Sequence, residues 1–391
     1  MYPDDGILPW LERLREEVPG LEPLDAHTHL GSNDPDGYSC TGRELVAALE
    51  RIDGRAIVFP MHEPDGYPPA NDMILEEAAA ADGRLIPFCR LNPHEDAVAE
   101  ARRCLEAGAR GIKLHPRAER FTLDHPSLRD VFALADENGV PVLCHAGRGI
   151  PALGRHAADA CGRYPGMRLI LAHAGISDLA WIWRAAGEHS NLYFDTAWWS
   201  PADLQALFAL VPPGQILMAS DAPYTTPAYG ATMAMRHALQ IGLDHDQVRA
   251  VLGGQAARLV AREEPLDLGP ARGPERIPRD PLLERVHAYL LNAIGQMFNG
   301  LDAGETLALA SLACEVGDDA PQAPVCRLIL GLIEEQSRYR PEADSGRPSR
   351  FTPGVQLIVA AASLARTPDV ALPPAPAGAD VAERFRGDPS G

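Results

Sequence analysis

The sequence of 391 residues predicts an α/β protein: a (β/α)8 barrel followed by a C-terminal helical extension. The first observation is a series of eight short apolar runs before residue 222, separated by stretches with helical spacing. The second is that the runs are apolar almost throughout, which is typical of parallel strands buried on both faces. Eight strand–helix units in about 200 residues match the number that closes such a barrel.

The runs lie at Leu21–His27, Arg55–Pro60, Arg84–Cys89, Gly111–His115, Val140–His145, Arg168–His173, Asn191–Asp195 and Gln215–Asp221. Between them, patterns such as Glu95–Ala107 and Leu128–Asn138 predict helices, and each is followed by a glycine that can terminate it. A doubly wound open sheet is the alternative. It is disfavoured because no Gly-x-Gly-x-x-Gly motif follows the first run.

Composition divides the chain into four predicted parts. Residues 1–262 form the barrel, and residues 263–281 are rich in Pro, Gly and charge, which predicts a linker. Residues 282–371 are rich in Leu and Ala at helical spacing and predict a small helical domain. Residues 372–391 begin with a Pro-rich stretch and are predicted to be a disordered tail.

The charge balance limits the classes of partner. There are 35 basic and 54 acidic residues, a net charge of −19, which argues against binding nucleic acid or an anionic membrane. No apolar run approaches about 18 residues, so a transmembrane helix is not expected. The N-terminal residues do not resemble a signal peptide, and seven cysteines without a Cys-x-x-Cys pair indicate reduced thiols. We therefore expect a cytoplasmic protein with a small-molecule substrate, and self-association into a homo-oligomer is left open.

Polar side chains recur where the apolar runs end, and in a barrel these ends surround the active site. Residues two apart on a strand share a face, so His27 and His29 can bind one metal ion together. Imidazole and carboxylate ligands suit zinc, iron, manganese or nickel. The residues at the run ends are His27, His29, Lys113, His115, His145, His173 and Asp221.

Lys113 is the only lysine in a chain that otherwise uses arginine as its cation. A lysine can lose its proton when buried, act as a nucleophile or be carboxylated, whereas an arginine stays charged. This predicts a chemical role for Lys113, and chance retention is the alternative.

Four motifs resemble the amidohydrolase superfamily, above all its amidohydrolase-2 group of metal-dependent hydrolases and related decarboxylases. They are LDAHTHL at 24–30, CHAG at 144–147, LAHAG at 171–175 and ASDAP at 219–223, and the resemblance covers roughly residues 20–260. It implies that His27, His29, His145 and Asp221 bind one divalent metal ion, commonly zinc. It further implies that His173 orients or polarises the bound water or substrate.

A second arrangement is also found in the superfamily. There, a carboxylated lysine at the end of the fourth strand bridges two metal ions, and the histidines at the fifth and sixth strands bind the second ion. Lys113, His145 and His173 supply the residues for that arrangement. The single-metal arrangement is preferred because a Gly-x-Lys-x-His-Pro stretch is also similar to mononuclear relatives.

The implied reaction is hydrolysis of an amide, ester or lactone bond, with water activated by the metal and Asp221 as the general base. Lys113 or His173 is expected to stabilise the developing oxyanion. The alternatives are a metal-dependent decarboxylase of an aromatic or unsaturated acid and a non-catalytic barrel that serves as a binding or assembly module. The candidate substrate-binding residues are His115, Arg117, Arg148, Arg90 and Trp198, and guanidinium groups there would favour an anionic substrate. With 34 arginines in the chain, their presence on these loops can also be incidental.

Overall fold

The computed structural model describes residues 4–338 and 354–374, apart from the side chains of Leu179 and Ala180. The chain divides into two compact units: unit 1 comprises Met1–Trp198 and Asp203–Arg276, and unit 2 comprises Trp199–Ala202 and Ile277–Gly391. Residues 375–391, most of the predicted disordered tail, lie outside the described residues.

Eight parallel strands in sequential order form the sheet of unit 1, which confirms the predicted (β/α)8 barrel. The strands are β1 (Leu24–Leu30), β2 (Arg55–Pro60), β3 (Leu85–Arg90), β4 (Gly111–Leu114), β5 (Pro141–Cys144), β6 (Arg168–Leu171), β7 (Leu192–Asp195) and β8 (Ile216–Leu217). The helices are α1 (Leu8–Glu17), α2 (Gly42–Glu50), α3 (Pro68–Ala80), α4 (Ala97–Glu106), α5 (Leu128–Asn138), α6 (Leu153–Arg163), α7 (Leu179–Ala185), α8 (Pro201–Leu210), α9 (Pro227–Gln240), α10 (His245–Arg249) and α11 (Gln255–Ala261).

Strand β8 has only two residues, so the barrel closes mainly through the segment that follows it. Three backbone hydrogen bonds cross from β1 to this segment: Ala26 N–H to Met218 O (2.9 Å), Asp221 N–H to His27 O (2.9 Å) and His29 N–H to Ala222 O (2.8 Å). We call this junction the β1–β8 seam. It holds the residues after β8 against the two histidines of β1.

Asp25 completes the β1–β8 seam where the register of β1 is irregular, between Asp25 and Thr28. Its buried Oδ1 accepts hydrogen bonds from the backbone N–H groups of His27 (3.1 Å) and Ser220 (3.0 Å). The carboxylate thus satisfies buried donors that the irregular register leaves without a ladder partner.

The apolar strands pack on both faces, as the sequence predicts. Inside the barrel, one buried cluster joins residues from the strands, such as Ile57, Phe88 and Ile170, with Leu259 of α11. Outside, alternate residues of β2 pack in a second buried cluster with Leu45 of α2. Burial on both faces explains why the strands show no polar–apolar alternation.

The helix boundaries follow ordinary end signals. The pattern predicted over residues 95–107 forms α4, whose first turn is capped by the side chain of Asp96. The pattern at 128–138 forms α5, and it ends at Gly139, whose φ of 60° suits a left-handed C-terminal residue.

The helices of unit 2 are α12 (Pro281–Phe298), α13 (Gly304–Ala313), α14 (Ala323–Arg338) and α15 (Val355–Arg366), and they pack together. Asp280 caps α12 by accepting the N–H groups of Leu282 and Leu283. The helical extension is therefore confirmed. Residues 263–276 lie in unit 1, and the predicted linker and domain boundaries stay a prediction. A helix with the length and apolar character to span a bilayer is absent from the described residues.

We expect Gly253→Ala to destabilise the barrel because its backbone lies against the entry to β1. A Cβ atom at Gly253 would lie 2.1 Å from Glu22 O and 2.8 Å from Leu24 N. Relief requires a shift of backbone, and overpacking of this kind costs about 1–3 kcal/mol. Urea unfolding followed by circular dichroism measures the loss.

Gly254→Ala is the matched control, since the nearest atom to its Cβ position is Arg249 O at 3.5 Å, an ordinary contact. The urea concentration at the midpoint of unfolding of Gly254→Ala should be at or above that of the wild type. Equal midpoints for the two variants would contradict the close approach of this turn to β1.

Candidate metal centre

Three side chains meet at the β1–β8 seam, at the carboxyl-terminal mouth of the barrel. His27 Nε2 and His29 Nε2 lie 3.1 Å apart, and Asp221 Oδ1 lies 3.1 Å from each of them. A tetrahedral ion with ligands at about 2.0–2.1 Å has ligand–ligand edges of about 3.3 Å. The triangle of one oxygen and two nitrogen atoms therefore has the size of one face of such a site.

The backbone explains why these residues converge. His27 and His29 are two apart in β1 and share a face. Asp221 has a φ of 62°, in the left-handed region that is unfavourable for residues other than glycine, asparagine and aspartate. Its N–H bond to His27 O holds that conformation and turns the carboxylate toward the imidazoles.

The protonation states suit a cation. Burial lowers the pKa of His27 and of His29 well below the usual 6.5, so both imidazoles are neutral at pH 7 and offer lone pairs. Burial raises the pKa of Asp221 to about 6, which leaves the carboxylate ionised at pH 7. Two neutral imidazoles and one carboxylate are a donor set for divalent transition metals such as zinc.

Asp195, the last residue of β7, is a site residue that the sequence reasoning missed. It is fully buried, and its Oδ2 lies 2.7 Å from His27 Nδ1. Its Oδ1 accepts the backbone N–H groups of His173 (2.8 Å) and Ala197 (3.0 Å). The signal was present in the sequence, because Asp195 ends the seventh apolar run as the other polar residues end theirs.

Lys113 lies where the sequence predicts, beside the three candidate ligands. Its fully buried Nζ is 3.2 Å from His27 Nε2 and 4.3 Å from the centre of the Phe59 ring. Burial lowers the pKa of this amine to about 7. A lysine so close to a prospective metal ligand can interact with any group bound there.

His145 is not part of the three-residue group. Its Nδ1 lies 3.0 Å from His173 Nε2, its ring stacks on His115 at 3.9 Å, and His173 Nδ1 lies 2.7 Å from Ala197 O. The structure therefore gathers the five histidines predicted at the strand ends into two adjoining sets: His27 with His29, and His115, His145 and His173. The role of His145 as a metal ligand stays a prediction.

The predicted substrate-binding residues fall into two environments. Arg90 is buried at 2% exposure, and its guanidinium donates to Glu119 (2.7 Å) and to a backbone carbonyl. Arg117 and Arg148 are exposed, and the guanidinium of Arg148 lies 5.5 Å from the centre of the Trp198 ring. Trp198 in turn lies 6.4 Å from the ring of His173. Trp198 thus connects the exposed Arg148 with the histidines.

The structure is similar to solved TIM-barrel proteins. An uncharacterized TIM-barrel protein from Bordetella bronchiseptica is 17% identical with a TM-score of 0.51, and the alignment covers 62% of this chain and 99% of that one. An amidohydrolase from Burkholderia multivorans, solved with bound zinc, is 17% identical with a TM-score of 0.50, covering 61% and 99%. At this identity the likeness supports the barrel fold.

The sequence gives the family directly. No significant match to this chain is found among curated proteins. The amidohydrolase family model (Amidohydro_2), however, matches residues 24–262, which is more than half of the chain. The match spans β1 to α11 and includes both histidines of the seam and Asp221. The chain belongs to the amidohydrolase-2 family.

Proposed function

We propose that the protein is a metal-dependent hydrolase that cleaves an amide, ester or lactone bond of a small anionic substrate. The observation that carries the proposal is the triangle of His27, His29 and Asp221, whose ligand atoms lie 3.1 Å from one another. In a member of the amidohydrolase-2 family, this donor set at the mouth of the barrel fits one divalent ion, and we propose zinc.

His27, His29 and Asp221 would hold the divalent ion, which would lower the pKa of water from 15.7 to roughly 7 and polarise an acyl oxygen. Asp221 accepts the proton of the attacking water and returns it to the leaving group. Its side chain is 21% exposed, and a carboxylate within reach of the attacking water is a suitable general base. Lys113 lies beside the triangle, with Nζ 3.2 Å from His27 Nε2, where it can stabilise negative charge on the acyl oxygen. His173 is adjacent and donates its Nδ1–H to Ala197 O, so it can orient the bound substrate or water through Nε2.

The proposed anionic substrate rests on Arg148 and Trp198. The guanidinium of Arg148 lies over the indole ring, and the indole N–H donates to Asp203 (2.8 Å), which orients the ring. A guanidinium held in this way can bind a carboxylate through two hydrogen bonds. The adjacent ring offers an apolar wall for the rest of the substrate.

We propose one metal ion, with His145 as the predicted fourth protein ligand. One observation favours two ions instead: His145 Nδ1 and His173 Nε2 form a second pair of nitrogen atoms 3.0 Å apart. A carboxylated Lys113 would then bridge the two sites. Metal stoichiometry separates the two arrangements.

The first test is elemental analysis of the purified protein together with turnover of a panel of carboxylate-bearing amides, esters and lactones. We expect about one divalent ion per chain and hydrolysis that is lost on chelation. Asp221→Asn should lower kcat by about 10²–10⁴-fold because it removes the proton acceptor. His29→Asn and His145→Ala should lower the metal content, and His62→Asn, in the loop after β2, is the control that should retain it.

The same measurements identify the alternatives. A stoichiometry of two metal ions per chain that decreases in Lys113→Ala would support the bridged two-metal site instead of the single-metal site. Release of carbon dioxide from an aromatic acid, without hydrolysis of the panel, would replace the hydrolase by a decarboxylase. Absence of both metal and turnover would contradict the proposal and favour a non-catalytic binding module.

Metal affinity of the apoprotein should fall as the pH is lowered from about 8 to about 5. Below a pKa of about 7, Lys113 gains a positive charge, and below about 6, Asp221 loses its negative charge. Both changes disfavour a cation, whereas His27 and His29, with lowered pKa values, stay neutral over this range. Competition with a chromophoric chelator measures the affinity, and Lys113→Met should reduce the step near pH 7, to which Asp195, whose pKa burial raises to about 7, also contributes. A profile that is flat between pH 8 and 5 would contradict this electrostatic account.

Arg148→Met should raise KM for carboxylate-bearing substrates about 10-fold or more while kcat stays near that of the wild type, since a lost charged hydrogen bond costs about 1.5–3 kcal/mol. Arg129→Met, an exposed arginine on α5, is the matched control for loss of surface charge. An equal KM effect on uncharged analogues would show that Arg148 does not bind the carboxylate.

A further inference from the structure

We infer that Asp195 is a positioning residue that fixes the tautomer of His27, so that the Nε2 lone pair faces the metal site. The inference rests on the proposed function in that it assigns Nε2 as the ligand atom. It goes further in giving a task to a carboxylate that belongs neither to the three-residue group nor to the predicted substrate residues.

The orientation of the Asp195 carboxylate is fixed by its surroundings. Oδ1 accepts two backbone N–H groups, from His173 at 2.8 Å and Ala197 at 3.0 Å. Both donors are main-chain groups, and they fix the orientation of the carboxylate plane. Oδ2 is therefore directed at His27 Nδ1, 2.7 Å away, and the two side chains are 0% and 1% exposed. The contact is therefore shielded from bulk solvent.

The surroundings of Nε2, on the opposite edge of the His27 ring, explain why the tautomer matters. His27 Nε2 lies 3.1 Å from His29 Nε2, 3.1 Å from Asp221 Oδ1 and 3.2 Å from Lys113 Nζ. A neutral imidazole carries one proton, so a proton on Nδ1 leaves a lone pair on Nε2. A carboxylate that accepts a hydrogen bond from Nδ1–H selects this form, and such contacts also raise the basicity of a ligating histidine.

Asp25 provides a closely matched comparison. Asp25 and Asp195 are both fully buried, and burial raises the pKa of each to about 7. Asp25 Oδ1, however, accepts the main-chain N–H groups of His27 and Ser220, and the side chain of Ser220 also hydrogen-bonds to this carboxylate. Asp25 is a buried carboxylate close to His27, whereas Asp195 contacts the His27 ring. Substitutions at the two positions can therefore distinguish the effect of a nearby buried carboxylate from the effect of the ring contact.

The test compares Asp195→Asn with Asp25→Asn. At position 195 the amide oxygen can still accept the two N–H groups of Oδ1, but the amide nitrogen then donates to His27 Nδ1 and moves the ring proton to Nε2. We expect binding of Zn²⁺ or Co²⁺ by the apoprotein to weaken about 10–100-fold. Asp25→Asn should bind the metal as the wild type does. An equal loss in both variants, or no loss in Asp195→Asn, would overturn the inference.

A second readout needs neither metal nor turnover. In apoprotein with ¹⁵N-labelled histidine, measured above pH 7 so that Asp195 is ionised, the ring nitrogen shifts of His27 should show the proton on Nδ1. The signal is assigned by its loss in His27→Asn. In Asp195→Asn it should move to Nε2. A wild-type spectrum with the proton on Nε2 would overturn the inference even if the variant does not fold. If the wild type binds no metal, the proposed function fails, and the spectrum still decides the tautomer.

Discussion

The backbone contact between β1 and the segment after β8 is the constraint on which the candidate site depends. Two of its hydrogen bonds involve the same residues that supply the ligand atoms: Asp221 N–H donates to His27 O, and His29 N–H donates to Ala222 O. The backbone contacts that close the barrel therefore also bring the three residues together. Residues almost 200 positions apart reach a separation of 3.1 Å because the last strand must pair with the first.

This arrangement places several ionisable groups in a buried space, which is costly unless each finds a partner. Asp25 and Asp195 are stabilised by main-chain N–H groups, and Asp195 also by the ring of His27. Lys113 has no such dense set of acceptors, and burial lowers its pKa to about 7. The polar cluster at the mouth of the barrel thus lowers the folding stability of the protein. Such a cost is typical of sites where buried ionisable groups have a chemical role.

Sequence patterns were sufficient where the relevant forces are local. Apolar runs gave the eight strands, a glycine in the left-handed conformation ended α5, and the spacing of His27 and His29 placed both on one face of β1. They were insufficient where a side chain's partner is distant in sequence. The position of Asp195 at the end of the seventh run is visible in the sequence, but its role depends on a ring 168 residues away. The environment of His145, which faces His173 and His115, likewise depends on how β4, β5 and β6 stand in the closed sheet.

The sequence by itself determined the barrel, the helical extension and the types of residue at the strand ends, since hydrophobic periodicity and strand–helix alternation are properties of short segments. Only the tertiary structure decided which of those residues share a site, which nitrogen of each histidine faces it, and that Arg90 is buried in an ion pair whereas Arg148 is exposed. The physical reason is that these outcomes depend on distances of about 3 Å between separate strands, which barrel closure and register fix and which no local pattern encodes.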